Sequence, residues 1–158
     1  MSKSLKRVTQ SLEAMGFRAE IVGFETPVKT AQAAAEALGV ETDQIAKSII
    51  FEGAESGRIY LFVTAGGRQV CLERAAALAG EPLIRADASK VRKHTGFAIG
   101  GVAPLGHLNT TPVFMDNALD GFDVVWAAAG TPHHVFAAPP IALAEATGAT
   151  CSDFSEAV

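Results

Sequence analysis

Residues 47–65 read K-S-I-I-F-E-G-A-E-S-G-R-I-Y-L-F-V-T-A and carry the strongest fold signal in the chain. Two β-rich segments, 47–52 and 58–65, flank the turn-rich segment G-A-E-S-G, a pattern that predicts an antiparallel hairpin. Three successive apolar residues, 49–51, lie on both alternating faces of the first segment, and such a strand must be covered on both sides. We therefore place residues 47–52 in the middle of a β-sheet.

Further helices and strands are predicted on both sides of the hairpin from apolar periodicity and capping residues. Thr30 and Asp87 are predicted N-caps, and glycine follows most of the helices. The predicted helices are 4–15, 31–38, 71–79, 87–95 and 140–147, with a helical turn at 42–46, and the further strands are 19–24, 82–86, 112–116, 122–129 and 133–138. Because no repeat or linker separates these elements, residues 1–158 are predicted to form one α/β domain with a mixed, mostly antiparallel central sheet packed by helices.

Composition limits the class of protein. The chain has 158 residues and 49% hydrophobic content, which is enough for one continuous core. It contains no run of about 18 apolar residues, so we expect a soluble, cytoplasmic protein that does not span a membrane. Cys71 and Cys151 lie far apart and outside any ligand spacing, which indicates neither a disulfide framework nor a zinc site.

The charge distribution bears on partners. A formal net charge of -4 argues against a protein that coats nucleic acid by bulk electrostatics. Local basic patches remain, one formed by Lys3, Lys6 and Arg7 and the other by Lys90, Arg92, Lys93 and His94. Each patch is either a solvated helix face or a contact surface, and the sequence leaves both interpretations open.

The common catalytic motifs are absent: there is no G-x-S-x-G, no Walker loop, no H-E-x-x-H and no G-x-G-x-x-G. The histidines at 94, 107, 133 and 134 lack the spacing of metal ligands. Cys71 as a nucleophile and His107 as a general base are competing enzyme hypotheses. Cys71 lies in a predicted helix, which favours burial, and His107 has no visible acid partner.

Lys47 allows two interpretations. It shares a strand face with the apolar residues 49 and 51, so its stem should lie against apolar surface. In the first interpretation the ammonium simply reaches solvent at the end of the sheet. In the second it is an oriented cation that holds a carbonyl or phosphate oxygen in a partly dry pocket.

Residues 96–107 read G-F-A-I-G-G-V-A-P-L-G-H, an unusually apolar segment for one so rich in glycine. Gly100 and Gly101 would let a ligand approach the backbone and would permit positive φ, while Pro104 restricts the path of the chain. The alternative is an ordinary turn. We expect the large aliphatic residues of the segment to be buried and to anchor it as a shaped wall; they are Ile99, Val102 and Leu105.

Four segments together resemble the YbaK/EbsC family: Q-I-A-K-S-I-I-F, I-G-G-V-A-P-L-G-H, P-V-F-M-D and A-A-A-G-T-P-H-H-V-F. This family includes the editing insertion of bacterial prolyl-tRNA synthetases and its free-standing relatives. The resemblance extends from the predicted helix at 31–38 to the one at 140–147. It implies the editing-domain fold and a trans-acting deacylase, which hydrolyses the ester that joins a wrong small amino acid, such as alanine or cysteine, to tRNA, often proline tRNA.

The resemblance also implies site residues. The lysine of the family falls on Lys47, which is expected to be catalytic, and its glycine-proline loop falls on residues 100–104. The expected substrate-binding residues are Ser48, Gly100, Gly101, Val102, Ala103, Pro104, Asp116, Gly130 and His133. Asp116 could instead serve only to hold a turn. His133 and His134 alternate along a strand, so at most one of them should face a pocket.

The implied chemistry needs no protein nucleophile, because an aminoacyl ester is already activated and positioning with electrostatic stabilisation can suffice. Lys47 and loop N–H groups would orient the terminal adenosine and the ester while water, assisted by the ribose hydroxyl, attacks the carbonyl. A wall formed by Ile49 or Phe51 with the loop would select a small side chain. No cofactor or metal is expected.

The expected partners are mischarged tRNA, contacted through Lys90, Arg92 and Lys93, and a synthetase that could recruit the protein; neither DNA nor a membrane is expected. A second class of function stays open. It is a non-catalytic module on the same fold that binds an RNA 3′ end or a synthetase.

Overall fold

An eight-stranded mixed sheet forms the centre of the protein in the computed structural model, which describes residues 2–158. The elements are, in chain order, α1 (Lys3–Ala14), β1 (Glu20–Gly23), α2 (Ala31–Leu38), a 3-10 helix (Thr42–Gln44), β2 (Ile45–Gly53), β3 (Ile59–Ala65), β4 (Arg68–Val70), α3 (Leu72–Ala79), β5 (Leu83–Arg85), α4 (Ala88–Thr95), β6 (Val113–Asp116), a second 3-10 helix (Asn117–Gly121), β7 (Val125–Thr131), β8 (His134–Ala138), α5 (Pro140–Thr147), β9 (Thr150–Ser152) and β10 (Ser155–Ala157). No helix within residues 2–158 is long and apolar enough to cross a membrane.

The main sheet has the strand order β1-β8-β7-β2-β3-β6-β9, with β5 added beside β2. β2 pairs antiparallel with β3 from Ala46 opposite Ala65 to Glu52 opposite Ile59, which confirms the predicted hairpin. β2 is parallel to β7, β3 to β6, and β6 to β9, and the other pairs of the sheet are antiparallel. The α/β class and the mixed, helix-packed sheet are therefore confirmed. A separate two-stranded ribbon joins β4 to β10.

Strand β2 changes partner along one of its edges. β3 covers the first edge along residues 46–52. On the second edge, β7 pairs only with Ile45 and Ala46, and β5 pairs only with residues 51–53. Within the described chain, residues 47–50 therefore have no strand partner on this second edge, and we call them the open edge of β2.

Apolar side chains pack on both faces of the hairpin, although β3 is buried throughout and residues 47–52 of β2 are only half-buried. On one face α1 packs its apolar stripe into the core cluster that includes Ile50. On the other face Phe62 is fully buried, with the ring centroids of Phe114 and Phe154 at 5.0 and 5.1 Å from its own. A strand pair covered on both sides requires apolar residues at both alternating sets of positions.

Local signals set the helix boundaries. The side chains of Thr30 and Asp87 accept hydrogen bonds from the N–H groups of Ala33 and Lys90, as predicted for N-caps. Glycines in the left-handed conformation end α2, α3, α4 and α5. These caps lie within a few residues of each helix, which is why the sequence predicts them well.

Two kinds of element differ from the predictions. The helical turn predicted at 42–46 is a 3-10 helix that ends at Gln44, because Ile45 already pairs with Trp126 of β7. The three-residue strands β4, β9 and β10 were not predicted. They are too short to show periodicity, and they exist because distant parts of the chain offer them partners.

Glu81 fastens the outer end of the hairpin. Its carboxylate accepts hydrogen bonds from the backbone N–H groups of Glu55 and Ser56 at 3.0 and 2.8 Å, and from the hydroxyls of Ser56 and Tyr60 at 2.5 and 2.7 Å. The hydrogen bond from the Ser56 hydroxyl is the largest of the contributions that lower the pKa of Glu81 from 4.5 to about 2, followed by the bond from Tyr60. The carboxylate is thus strongly favoured in the folded state.

This pKa predicts acid sensitivity. A depressed folded-state pKa contributes stability that is complete above the unfolded pKa and is lost as the pH falls from about 4.5 towards 2. We expect Glu81→Gln to lower the melting temperature at neutral pH and to flatten its decline over this acidic window. Thermal unfolding measured from pH 7 to pH 2 tests this, with Glu55→Gln as the control; parallel curves for wild type and Glu81→Gln would contradict it.

Candidate functional site

The Lys47 ammonium is held by backbone. Its Nζ donates to the carbonyl oxygens of Gly66, in the connection between β3 and β4, and of Arg68, the first residue of β4, at 3.1 and 2.6 Å. Partial burial lowers the pKa of Lys47, while Asp43 and Asp116 act to raise it. An ammonium has three N–H donors, so one remains for a ligand after these two bonds are made.

Lys47 lies in the wall of a cavity of about 580 Å³ that the open edge of β2 adjoins. Four predicted site residues line it: Lys47, Ser48, Gly100 and Val102. The other walls come from α2 and the segment before it, from β7 with the β7–β8 turn, and from the Gly66-Gly67 turn. A cavity of this volume suits a ligand larger than a single amino-acid side chain.

Ser48, which lines this cavity, has a buried hydroxyl. Its Oγ has no hydrogen-bond partner within residues 2–158. A buried polar atom without a partner is costly, and native structures usually supply one. Within residues 2–158, the Ser48 hydroxyl is therefore not committed to any other group.

The loop at 96–107 forms the opposing wall only in part. Gly100 has a φ of +92° and open space where a Cβ would lie. Val102 and Leu105 are buried, as predicted, but the expectation for Ile99 is wrong, because its side chain is 53% exposed. Ile99 adjoins the positive-φ Gly100 at the outermost part of the loop, where little protein surface can cover it.

The remaining loop residues lie behind the cavity wall. Gly101, Ala103 and Pro104 are buried but are absent from the cavity lining. The Gly101 N–H donates to the Ala98 carbonyl at 3.0 Å, which closes a turn within the loop. The Ala103 carbonyl accepts a hydrogen bond from His107 Nε2 at 2.6 Å. The loop backbone is thus committed largely to internal contacts.

Asp116 is placed as a structural carboxylate. It is 1% exposed, and its two oxygens accept hydrogen bonds from the N–H groups of Ala65 and Ala118 at 3.1 and 3.0 Å. It thereby ties the end of β3 to the 3-10 helix that follows β6. Asp116 is not among the residues that line the Lys47 cavity, and its bonds correspond to the turn-holding alternative.

The β7–β8 hairpin presents one histidine to the cavity. His134 lines it, with Nδ1 2.7 Å from Thr131 Oγ1. His133 is directed elsewhere, and its Nδ1 donates to the Phe24 carbonyl at 3.1 Å. Gly130 has a φ of +97°, and a Cβ there would lie 2.9 Å from the Ser4 carbonyl oxygen. The absence of a side chain at this position leaves room for the start of α1. The sequence predicts that at most one of the two histidines faces a pocket, but His134 lines the cavity and the expected substrate-binding residue His133 does not.

The two competing enzyme hypotheses gain no support from the geometry. Cys71 precedes α3 and is absent from the Lys47 cavity. His107 has both ring nitrogens engaged, Nε2 by Ala103 and Nδ1 by the Thr111 hydroxyl at 2.8 Å. Burial lowers the pKa of His107, which favours its neutral form. Within residues 2–158 no three His, Cys, Asp or Glu residues gather as a metal site.

The second basic patch divides between two surfaces. Lys90 and Lys93 line a separate cavity of about 430 Å³, and Arg92 does not. This second cavity also has walls from Arg58, His94 and Asn109. Lys90 Nζ lies 3.2 Å from a carboxylate oxygen of Glu52, five residues along β2 from Lys47. At about 3.3 Å per strand residue, Lys47 and Glu52 are about 17 Å apart along β2.

Sequence reasoning missed Trp126, the single tryptophan of the chain, which lines the Lys47 cavity beside Ile45. Its position depends on the parallel pairing of β7 with β2, which places Trp126 opposite Ile45. A parallel partner separated by about 80 residues leaves no local signal in the sequence. The lining residues from α2 were also missed, because the sequence does not indicate against which part of the sheet this helix packs.

Comparisons with known proteins agree with this geometry. A family model described as an aminoacyl-tRNA editing domain matches residues 25–146. A solved structure described as a candidate trans-editing enzyme for prolyl-tRNA synthetase is 43% identical, with a TM-score of 0.92 over 99% of both chains. A second, of a hypothetical protein, is 29% identical with a TM-score of 0.88 over 95% of this chain and 99% of the other.

A curated relative, the uncharacterized protein YwhH of Bacillus subtilis (strain 168), is 31% identical over 142 residues, which is 90% of each chain. The family match covers the hairpin and every lining residue of the Lys47 cavity except Val158. The fold, the cavity and the sequence motifs thus lead to one assignment: the chain belongs to the aminoacyl-tRNA editing domain family, the YbaK family.

Proposed function

We propose that this protein is a trans-acting deacylase that hydrolyses the ester of mischarged tRNA in the cytoplasm. The observation that carries the proposal is the Lys47 ammonium, which is fixed by two carbonyls and keeps one N–H for a ligand in the cavity. The family of the chain supports aminoacyl-tRNA as the substrate class. No other cation along the cavity wall is held by two backbone carbonyls within residues 2–158.

The chemistry follows from what the wall offers. The free N–H of Lys47 can bind the ester carbonyl oxygen or a ribose oxygen and stabilise the negative charge that develops as water attacks. The Ser48 hydroxyl can position the same ligand, and no base is hydrogen-bonded to it, so it lacks the activation that a nucleophile needs. Water is therefore the attacking group, and the ribose hydroxyl of the substrate can assist it.

Small amino acids such as alanine or cysteine, carried on proline tRNA, are the proposed substrates. Ile49 and Val102 narrow the cavity with aliphatic side chains, whereas Phe51 packs into the core next to Phe62. Each methylene that such a wall excludes is worth about 1 to 3 kcal/mol of discrimination. The 43%-identical structure, described as a candidate trans-editing enzyme for prolyl-tRNA synthetase, supports proline tRNA and that synthetase as partners.

Removal of the ammonium should abolish most of the activity. We expect Lys47→Met, which keeps an apolar stem, to lower kcat/KM on alanine-charged proline tRNA at least about 100-fold, because an oriented donor to a developing charge is lost. Release of labelled amino acid measures this across a panel of mischarged tRNAs.

Lys6→Ala, an exposed cation on α1, is the matched control for Lys47→Met. Undiminished turnover by folded Lys47→Met would exclude a catalytic role for Lys47. Binding of charged tRNA by the wild type without release of amino acid would instead favour the non-catalytic module.

Ser48→Ala should separate function from stability. Because the Ser48 hydroxyl has no partner among the residues that the structure describes, its removal should leave the melting temperature unchanged or slightly raised. The same change should lower kcat/KM about 5- to 10-fold if the hydroxyl binds substrate, a loss of about 1 to 1.4 kcal/mol. Thermal unfolding and kinetics on one preparation test both expectations. A destabilised variant with normal kinetics would refute the role of the Ser48 hydroxyl in substrate binding.

The second cavity is the proposed contact for tRNA phosphates. Lys93 and Arg58 line it, whereas Lys90 is already paired with Glu52 and Arg92 lies outside it. Phosphates are bound largely through charge, and each contact adds to the salt dependence of affinity. Glu52, the partner of Lys90, lies about 17 Å along β2 from Lys47, and in this proposal one acceptor arm contacts both cavities.

Two single substitutions test this contact. We expect Lys93→Ala to weaken tRNA binding at low salt and to reduce the slope of log affinity against log salt by about 0.7 to 0.9, the value for one phosphate contact. Arg92→Ala, which removes an equal charge from the same helix outside the cavity, should change the slope less. Filter binding over a salt series measures the slope for both variants. Equal changes in slope would indicate that the basic patch acts only through its overall positive charge and not through a specific phosphate contact.

A further inference from the structure

Arg7 joins the two ends of the loop that walls the Lys47 cavity. Its guanidinium Nε donates to the Gly106 carbonyl at 2.8 Å, and Nη2 donates to the Gly96 carbonyl at 2.9 Å. The same group lies over the ring of Phe97, 4.5 Å from its centroid, and that ring is fully buried. Arg7, which the sequence places in a basic patch on α1, is therefore half-buried and bound to the loop.

The loop ends are shaped to receive this side chain. Gly96 and Gly106 have φ values of +83° and +77°, a conformation that favours glycine. A Cβ on Gly96 would lie only 2.5 Å from Arg7 Nη2, and one on Gly106 would lie 3.5 Å from the Arg7 carbonyl. Both ends of the loop thus rest closely against α1 at the position of Arg7.

A chain of contacts leads from Arg7 to the cavity. The buried ring of Phe97 packs edge-on against His107, at 5.6 Å between centroids, and His107 donates to the Ala103 carbonyl. Ala103 is adjacent to Val102, which lines the cavity. Arg7 therefore fixes both ends of the loop, and His107 fixes its middle.

We infer that Arg7 is a positioning residue for the reaction proposed above: it holds the loop at the distance from Lys47 that the substrate requires. Its partners are neutral carbonyls, and it belongs to neither of the ion pairs formed by residues 2–158. Lysine cannot replace it, because a single ammonium lacks the planar fork that reaches two separate acceptors. Arg7 also lies outside residues 25–146, so the loop of the family domain depends on a helix beyond the matched segment.

The test uses Arg7→Lys in the full chain. We expect kcat for release of alanine from alanine-charged proline tRNA to fall about 10- to 100-fold with KM changed much less, since small displacements of positioning groups cost this much in rate. Amide hydrogen exchange of residues 98–105 should accelerate, while that of β3 stays as in the wild type. Lys6→Ala, on the same helix, should alter neither measurement.

A second variant distinguishes the loss of a positioning group from misfolding. Arg7→Ala should be still slower, and low-millimolar guanidinium should restore part of its kcat, which it would not do for a protein that is merely unstable. Wild-type kcat in Arg7→Lys, unchanged exchange of the loop, or uniformly faster exchange that includes β3 would each overturn the inference.

Hydrogen exchange separates this inference from the proposed function. The exchange measurement needs no substrate, so it decides whether Arg7 holds the loop even if the wild type releases no amino acid. In that event the proposed deacylase function fails, and the positioning role in catalysis fails with it. Hydrolysis by the wild type together with an unaffected Arg7→Lys would instead remove only the role of Arg7.

Discussion

The divided edge of β2 is the constraint on which the rest of the site depends. Backbone N–H and C=O groups must find partners when they are buried, so a central strand is normally paired along both edges. Here β7 leaves β2 after Ala46, and β5 joins it only at Phe51. The interval contains Lys47 and Ser48, so the protein places two polar side chains where its own sheet is incomplete. The cavity exists because these neighbouring strands diverge.

The surroundings of Lys47 show how a cation is kept in such a place. Burial disfavours the charged form of a lysine, and nearby opposite charge or hydrogen bonding restores it. Two carbonyl oxygens bind the ammonium directly, while Asp43 and Asp116 favour the charge from a distance. Because neither carboxylate forms an ion pair with Lys47, the third N–H stays available. A direct ion pair would have held the lysine equally well and would have competed with the substrate.

The sequence predicts those features whose causes are local. The hairpin follows from a run of apolar residues beside a turn, and the N-caps Thr30 and Asp87 act within three residues. Lys47 could be singled out because a charge on an otherwise apolar strand face is unusual, and the family motifs then gave it an expected partner in the loop. The choice between His133 and His134, the exposure of Ile99 and the position of Trp126 depend on contacts with distant segments. Such contacts leave no periodic pattern in the sequence.

The loop at 96–107 combines both kinds of cause and explains why a motif alone does not define a site. The glycines allow the loop to adopt its backbone conformation, but they do not hold it there. Glycine loses more conformational freedom on folding than any other residue. The order comes from Arg7, which lies outside the motif and binds the two ends of the loop, and from His107, the last residue of the loop, which binds its middle. Only a wall held in this way can keep Val102 at a set distance from Lys47, and discrimination among small side chains requires that distance to be constant. In the proposed deacylase, the selectivity of the cavity would therefore depend on the packing between α1 and the loop as much as on the residues that line it.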